Sequence, residues 1–246
     1  MLHELALEKK LPKHQFMDQG TLDWIVQTGE SMLGTSHPNI TLSQYLKPNL
    51  HLASPSEDFF TDKPIAHGIH GYRHCARVSL LATHVYATQT KEPRLEIVKT
   101  LMVAGSLHDC RRLDDNADSG HGPRGVEWLA DNQDSVADWF KLEPFEANFK
   151  LAGQGIYYHE TPSSDIPEMH EDEKLVIDII KTADALDRYR QPIEKWWIND
   201  SYLNIKPSPE LKAMAWRMVC LSEANYLSSQ NNQSALQSVL EICEYA

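Results

Sequence analysis

GYRHCARVSLLATHVYATQTKEPRLEIVKTLMVAGSLHD, residues 71–109, is the stretch on which the reading of the whole chain turns. His74, Val78, Leu81 and Val85 follow spacings of four, three and four, which is one face of an α-helix. The apolar members of that face place it against a core, so His74 is expected to point inward. Ile97, Leu101, Ala104 and His108 repeat the spacing, and Asp109 follows directly. Further along, Ala152, Ile156 and His159 share one helical face, and Ile177, Ile180 and Asp184 share another. A buried carboxylate is costly unless it is paired or binds a metal. Two carboxylates and three imidazoles converging from separate inward faces therefore point to a divalent transition-metal site of one or two ions. This donor mixture suits Mn, Fe, Co, Ni or Zn.

The rest of the chain is consistent with helices throughout. Periodicity predicts them from Asp18 to Leu33 and, roughly, over 72–89, 94–108, 122–132, 144–159, 172–190, 208–228 and 233–245. Pro93, Pro144, Pro192 and Pro209 fall at or near predicted ends, where proline is tolerated. Pro48 to Pro64 reads as a loop. No alternating run suggests a sheet, so the fold class is all-α. A single domain over residues 1–246 is expected, with the motif-bearing core at about 65–190, a helical extension before it and further helices after it.

Composition narrows the function classes. The 246 residues are 41% apolar and 24% charged, as in ordinary soluble proteins. No apolar run approaches the roughly 18–20 residues of a membrane span, and MLHELALEKKLPKH lacks a signal-peptide h-region. A cytoplasmic protein without a membrane partner is expected. Cys75, Cys110, Cys220 and Cys243 form no CxxC pair and read as free thiols. The formal net charge of −12 argues against general nucleic-acid binding, which needs a basic surface. Between His67 and Gly125, however, eight Lys/Arg stand against six Asp/Glu, which suits a small anionic substrate. There is no Walker loop, no G-x-S-x-G elbow and no Rossmann fingerprint.

Four segments, HGYRHCARV (70–78), SLHDCRRLDDNADSGHG (106–122), YYHE (157–160) and KTADALDRYR (181–190), together resemble the motifs of the HD-domain superfamily. These are all-helical, metal-dependent phosphohydrolases. The likeness is to bacterial members that carry HG-x-x-H-x-x-RV, HD and D-x-x-HG, and it spans about half the chain. It implies an HD-like helical bundle, His74, His108, Asp109 and Asp184 as metal ligands, and hydrolysis of a small phosphorylated substrate such as a nucleotide. Some HD proteins hold two metals in the order His, His-Asp, His, His, Asp. His121 and His159 supply that order here, with Asp109 between the ions. A few dinuclear members are iron oxygenases, and a nucleotide-sensing module without turnover is a further alternative. Gly71-Tyr72 is followed by Arg73 rather than by proline, which ranks cyclic dinucleotides low among substrates.

Residues around these ligands complete the expectation. His70, one helical turn before His74, is a candidate general acid or a group that orients a ligand, and also reads as a plain helix-start residue. Asp118 is a second proton-transfer candidate, and Arg112 a residue that neutralises charge growing in the transition state. Arg77, Arg111, Arg112 and Arg124 are candidate substrate contacts, because guanidinium forks match phosphate oxygens, with Arg112 and Arg124 preferred; Lys181 is a further candidate, for substrate or for pairing with Asp184 or Asp187. Arg73 is a weaker one. Asp114 or Asp115 is a candidate for orienting water, and Asp187 for orienting a ligand. Trp196 and Trp197 read as core packing or as a wall on which a base stacks.

Overall fold

In a computed structural model, residues 1–34, 40–42, 47–241 and 243–245 are described. The chain is all-α. Its helices are α1 (Leu2–Leu7), α2 (Gln19–Leu33), α3 (Lys63–His67), α4 (Tyr72–Gln89), α5 (Leu95–Leu107), α6 (His121–Asp131), α7 (Gln133–Phe140), α8 (Phe149–Tyr158), α9 (Glu171–Asp187), α10 (Pro209–Ser229) and α11 (Asn232–Leu240). Their starts follow ordinary capping chemistry. Asp18, Asn148, Ser208 and Asn231 each accept a backbone N–H of the first turn, and Pro209 occupies a position whose N–H would be orphaned anyway.

Helix α4 is the central element. It packs on α5 and α9, while α8 lies against α5, α6 and α9, and α10 with α11 closes over α4. The inward stripes fall where spacing placed them. Val78, Leu81, Val85, Ile97, Leu101, Ala104, Ala152, Ile156, Ile177 and Ile180 are all buried in the core. Two glycines set the crossings that matter for the site. A Cβ on Gly105 would lie 2.7 Å from the backbone of Ser79, so only glycine lets α5 approach α4 this closely. A Cβ on Gly122 would lie 2.9 Å from the carbonyl oxygens of Ile156 and Tyr157, so the start of α6 meets the end of α8. The first crossing brings His108 to His74; the second brings His121 to His159.

Several local expectations change. The predicted loop from Pro48 to Pro64 holds 3-10 turns at Lys47–Ala53 and Glu57–Phe59, which bury Leu52 and Phe59. A short helix, α7, was not expected; its Val136 and Phe140, one turn apart, are fully buried. The helix predicted from about 144 begins only at Phe149. The last helix ends at Leu240, and Cys243–Tyr245 pairs in parallel with Ile40–Leu42 in a two-stranded ladder. That pairing joins segments far apart in sequence, so no local pattern announces it. Cys75, Cys110 and Cys220 are free thiols, and the side chain of Cys243 lies outside the described residues. Among the described residues no helix is long and apolar enough to cross a membrane.

Candidate metal centre

Each ligand-type residue sits where a helix begins or ends beside the core. His74 is in the first turn of α4, Asp184 in the last turn of α9, and His121 opens α6. His108 and His159 are the residues that terminate α5 and α8. Helix ends leave backbone carbonyls without intrahelical partners. His108 and His159 use this directly, because their Nδ1–H groups donate to the carbonyls of Gly105 at 2.8 Å and Ile156 at 2.7 Å. His121 Nδ1–H donates to the Asp118 carbonyl at 2.5 Å. His74 Nδ1–H donates to Asp187 Oδ2 at 2.7 Å. Every one of these imidazoles thus has its Nδ1 proton committed, which leaves Nε2 as the atom that can ligate when the ring is neutral.

The Nε2 atoms converge in two sets, one at each oxygen of Asp109. At Oδ2 stand His74 Nε2 (3.4 Å) and His108 Nε2 (3.8 Å), and Asp184 Oδ1 lies 3.4 Å from His74 Nε2. At Oδ1 stand His121 Nε2 (2.9 Å) and His159 Nε2 (3.5 Å). Within the sets, the Nε2 atoms of His74 and His108 are 2.9 Å apart, and those of His121 and His159 are 2.8 Å apart. Such distances suit an Nε2–H···Nε2 hydrogen bond when one imidazole of the pair is protonated, as the raised pKa of His74 favours, and suit a shared cation when both are neutral. Donor atoms about 2.0–2.2 Å from a tetrahedral zinc-like ion are themselves about 3.3–3.6 Å apart, which the spacings of His74 to Asp109 and Asp184 and of His159 to Asp109 match, while the imidazole pairs stand closer. Three overlapping groups could hold a metal ion among the described residues: His74, His108 and Asp184; His108, Asp109 and His159; and His121, His159 and Glu160.

Electrostatics follows the same division. Burial and Arg190 push His74 down, but Asp109, Asp184 and Asp187 outweigh them and hold its pKa at about 9. Burial drives His108 to about 3. Burial also opposes charge on Asp109, yet Arg112, His108 and His121 keep its carboxyl well below the usual range. Against its own burial, Asp184 is held low by His74 and Arg190. The carboxylates are ionised, and cationic charge is favoured between them.

A cavity of about 380 Å³ opens onto this centre, lined by Asp109, His159, Asp184, Arg112, Arg188 and Arg190 among others. His70 also lines it, with Nδ1 3.0 Å from Asp115 Oδ1. The other Asp115 oxygen accepts the Gln15 N–H at 2.8 Å, and Asp115 N–H donates to the Lys13 carbonyl at 2.9 Å. The segment before α2 is thereby stitched across the mouth, and Leu11 and Gln15 form part of the wall. Trp196 lines the cavity, whereas Trp197 is buried and donates to the Gln191 carbonyl. A larger groove of about 1080 Å³, flanked by α7 and α8, contains none of these groups.

The arginines divide differently from the sequence expectation. Arg77 is buried beneath the ligands rather than facing substrate. It grips Asp187 through two hydrogen bonds (2.6 and 2.9 Å) and reaches Ser222 and Glu223 of α10. Arg73 is likewise committed to Glu223 and Asn232. Arg111 turns to the Phe59 carbonyl, and Lys181 to the Thr161 carbonyl. Arg124 pairs with Asp118 at 2.5 Å, so the Asp118 carboxylate ties down its loop instead of offering a proton. Arg112 does reach the centre, 3.5 Å from Asp109 Oδ1. Arg190 went unread in the sequence. The available signal was its position three residues after Asp187 in the ALDRYR run, one turn away on the side of the ligands. No family model, no curated protein and no solved structure matches this chain.

Proposed function

We propose that the chain is a metal-dependent phosphohydrolase of the HD type, acting on a small phosphate ester such as a nucleotide. The observation that carries this reading is the double use of Asp109. Each of its oxygens faces its own pair of imidazole Nε2 atoms, and every Nδ1 is tied back. His74, His108, Asp109 and Asp184 would hold one ion, and His121, His159 and Asp109 a second. Divalent Mn, Fe, Co, Ni or Zn in such a site lowers the pKa of bound water and polarises a phosphoryl oxygen.

The chain's own residues supply the rest. The cavity is at the small end of the roughly 300–1,000 Å³ typical of ligand sites, which favours a small substrate over a polymer. Its arginines neutralise phosphate charge. His70 stands at its wall, kept neutral by burial and by Arg112 and Arg190, and held in orientation by Asp115. It can pass a proton to or from the reacting group. Trp196 offers a face on which a base can stack.

The test is hydrolysis of a panel of phosphate esters by protein reconstituted with each ion, beside Asp109→Ala. Turnover by the wild type and none by the variant supports the reading. Full turnover by the variant would place the chemistry elsewhere. An iron-dependent oxygenase is the second reading, favoured by the four imidazoles around one bridging carboxylate. Oxygen uptake by the iron-loaded protein, without phosphate release, would select it.

A further inference from the structure

We propose that Arg190, rather than Arg112, is the residue that grips the phosphoryl oxygens of the substrate. This assignment rests on the phosphate-ester reading of the centre.

Three arginines line the cavity: Arg188 is tied through Nε to the Trp196 carbonyl, and the two nearest the ligands, Arg112 and Arg190, differ in how much donor capacity they have left. Arg112 is already engaged. Its Nε donates to the Asp114 carbonyl (3.1 Å), its Nη2 to the Asn116 carbonyl (2.7 Å), and its Nη1 lies 3.5 Å from Asp109 Oδ1 and 3.7 Å from Glu160 Oε1. It clamps the loop after His108–Asp109. Arg190 is 3% exposed, yet among the described residues only its Nε makes a hydrogen bond, to the Ile69 carbonyl at 2.7 Å. Its Nη1 is buried without a hydrogen-bond partner. The Asp187 oxygen nearest to Nη1, at 3.6 Å, already accepts from His74 and Arg77. Its Nη2 lies 3.9 Å from Asp184 Oδ1, on the ligand side.

Buried donors are nearly always satisfied, and although Asp187 and Asp184 balance the charge of Arg190, its Nη groups lack hydrogen bonds. The Ile69 tether explains Nε but leaves the fork idle. Arg190 belongs to the wall of the cavity onto which Asp109 and Asp184 open, with Nη2 on the side of Asp184 and Nη1 behind it, beside Asp187. A tetrahedral oxyanion seated at the centre would present acceptor oxygens to this guanidinium, and planar paired donors are the geometry that recognises them. The sequence favours Arg112 and Arg124 among the arginines that flank the ligands, but proximity along the chain does not reveal which donors are already spent.

The experiment is calorimetric titration of inorganic phosphate into the metal-loaded protein, for wild type, Arg190→Gln and Arg112→Gln, with metal content measured in each. Arg190→Gln is expected to keep its metal and to bind phosphate about tenfold to a hundredfold more weakly. Arg112→Gln is expected to lose less. Unchanged phosphate affinity in Arg190→Gln, with hydrolysis by the wild type intact, would overturn the assignment and leave the phosphohydrolase reading standing. A wild type that neither binds phosphate nor hydrolyses any ester would overturn both. If Arg190→Gln fails to fold, a crystal structure of metal-loaded wild type with phosphate decides. An Arg190 Nη within about 3.2 Å of a phosphate oxygen supports the role, and phosphate bound with Arg190 out of reach contradicts it.

Discussion

On the Oδ2 side of Asp109 the partners come from the core. His74, His108 and Asp184 belong to α4, α5 and α9, and His74 is held by Asp187, which Arg77 in turn locks to Glu223 of α10. On the Oδ1 side, His121 and His159 sit at the outer pair of helices, and their Nδ1 atoms donate to backbone carbonyls, with Glu160 3.4 Å from His121 Nδ1. The carboxylate added there, Glu160, is half exposed. The inner set thus has more buried negative charge and a carboxylate-backed imidazole, which makes a stronger ligand than one backed by a carbonyl. The two sides should hold ions of unequal affinity, the inner one tighter.

Breaking the shared element should have the largest effect. Asp109→Ala is expected to lose both ions and to reduce turnover by more than about a thousandfold, since metal chemistry and charge stabilisation vanish together. Elemental analysis and ester hydrolysis on one preparation check this; a variant that retains a full complement of metal would show that Asp109 is not shared. Next comes the separation of the sides. Asp184→Ala should abolish the tight ion, whereas His159→Ala should leave it in place and lose the weak one, as read by metal titration. Loss of both ions in each variant would mean that the two sides bind only as a unit.

Asp187→Asn sharpens the comparison further. Its effect should be confined to the inner side, with metal affinity about 10–100-fold weaker and the outer ion unchanged. The fold should also melt earlier, because Arg77 would lose one of its two charged partners in the core and keep only Glu223. The smallest effect concerns pH. Burial raises the Asp115 carboxyl to about 7, so the folded chain keeps a proton that the unfolded chain releases near pH 4. Stability from this group is complete below about pH 4 and is lost as pH rises through about 7. Asp115→Asn, neutral throughout, should therefore gain on wild type between pH 5 and pH 8, by about 2 °C or more in melting temperature. A constant gap would mean that Asp115 is ionised across that range.

The inner side was far more legible in the sequence than its surroundings. His74, His108 and Asp184 each end an apolar stripe of helical period, and that period alone says they face the core. His159 shares this signal. His121 does not: it starts its helix and was found through the D-x-x-HG resemblance. Periodicity could not show that Arg77 lies under the ligands, since an arginine among core positions has no partner visible in one dimension. Glu223 and Asn232, which complete the partners of Arg77 and Arg73, lie some 150 residues away. Gln15 was equally hidden, because it reaches the cavity through backbone hydrogen bonds that any residue type can make.

The most direct measurement is the number of metal atoms per chain in wild type and His121→Ala after reconstitution with an excess of one transition ion. About two in the wild type and one in the variant are expected if the oxygens of Asp109 serve separate ions. One atom in both would contradict the shared carboxylate and leave His121 outside the metal site, and none in either would remove the metal centre altogether.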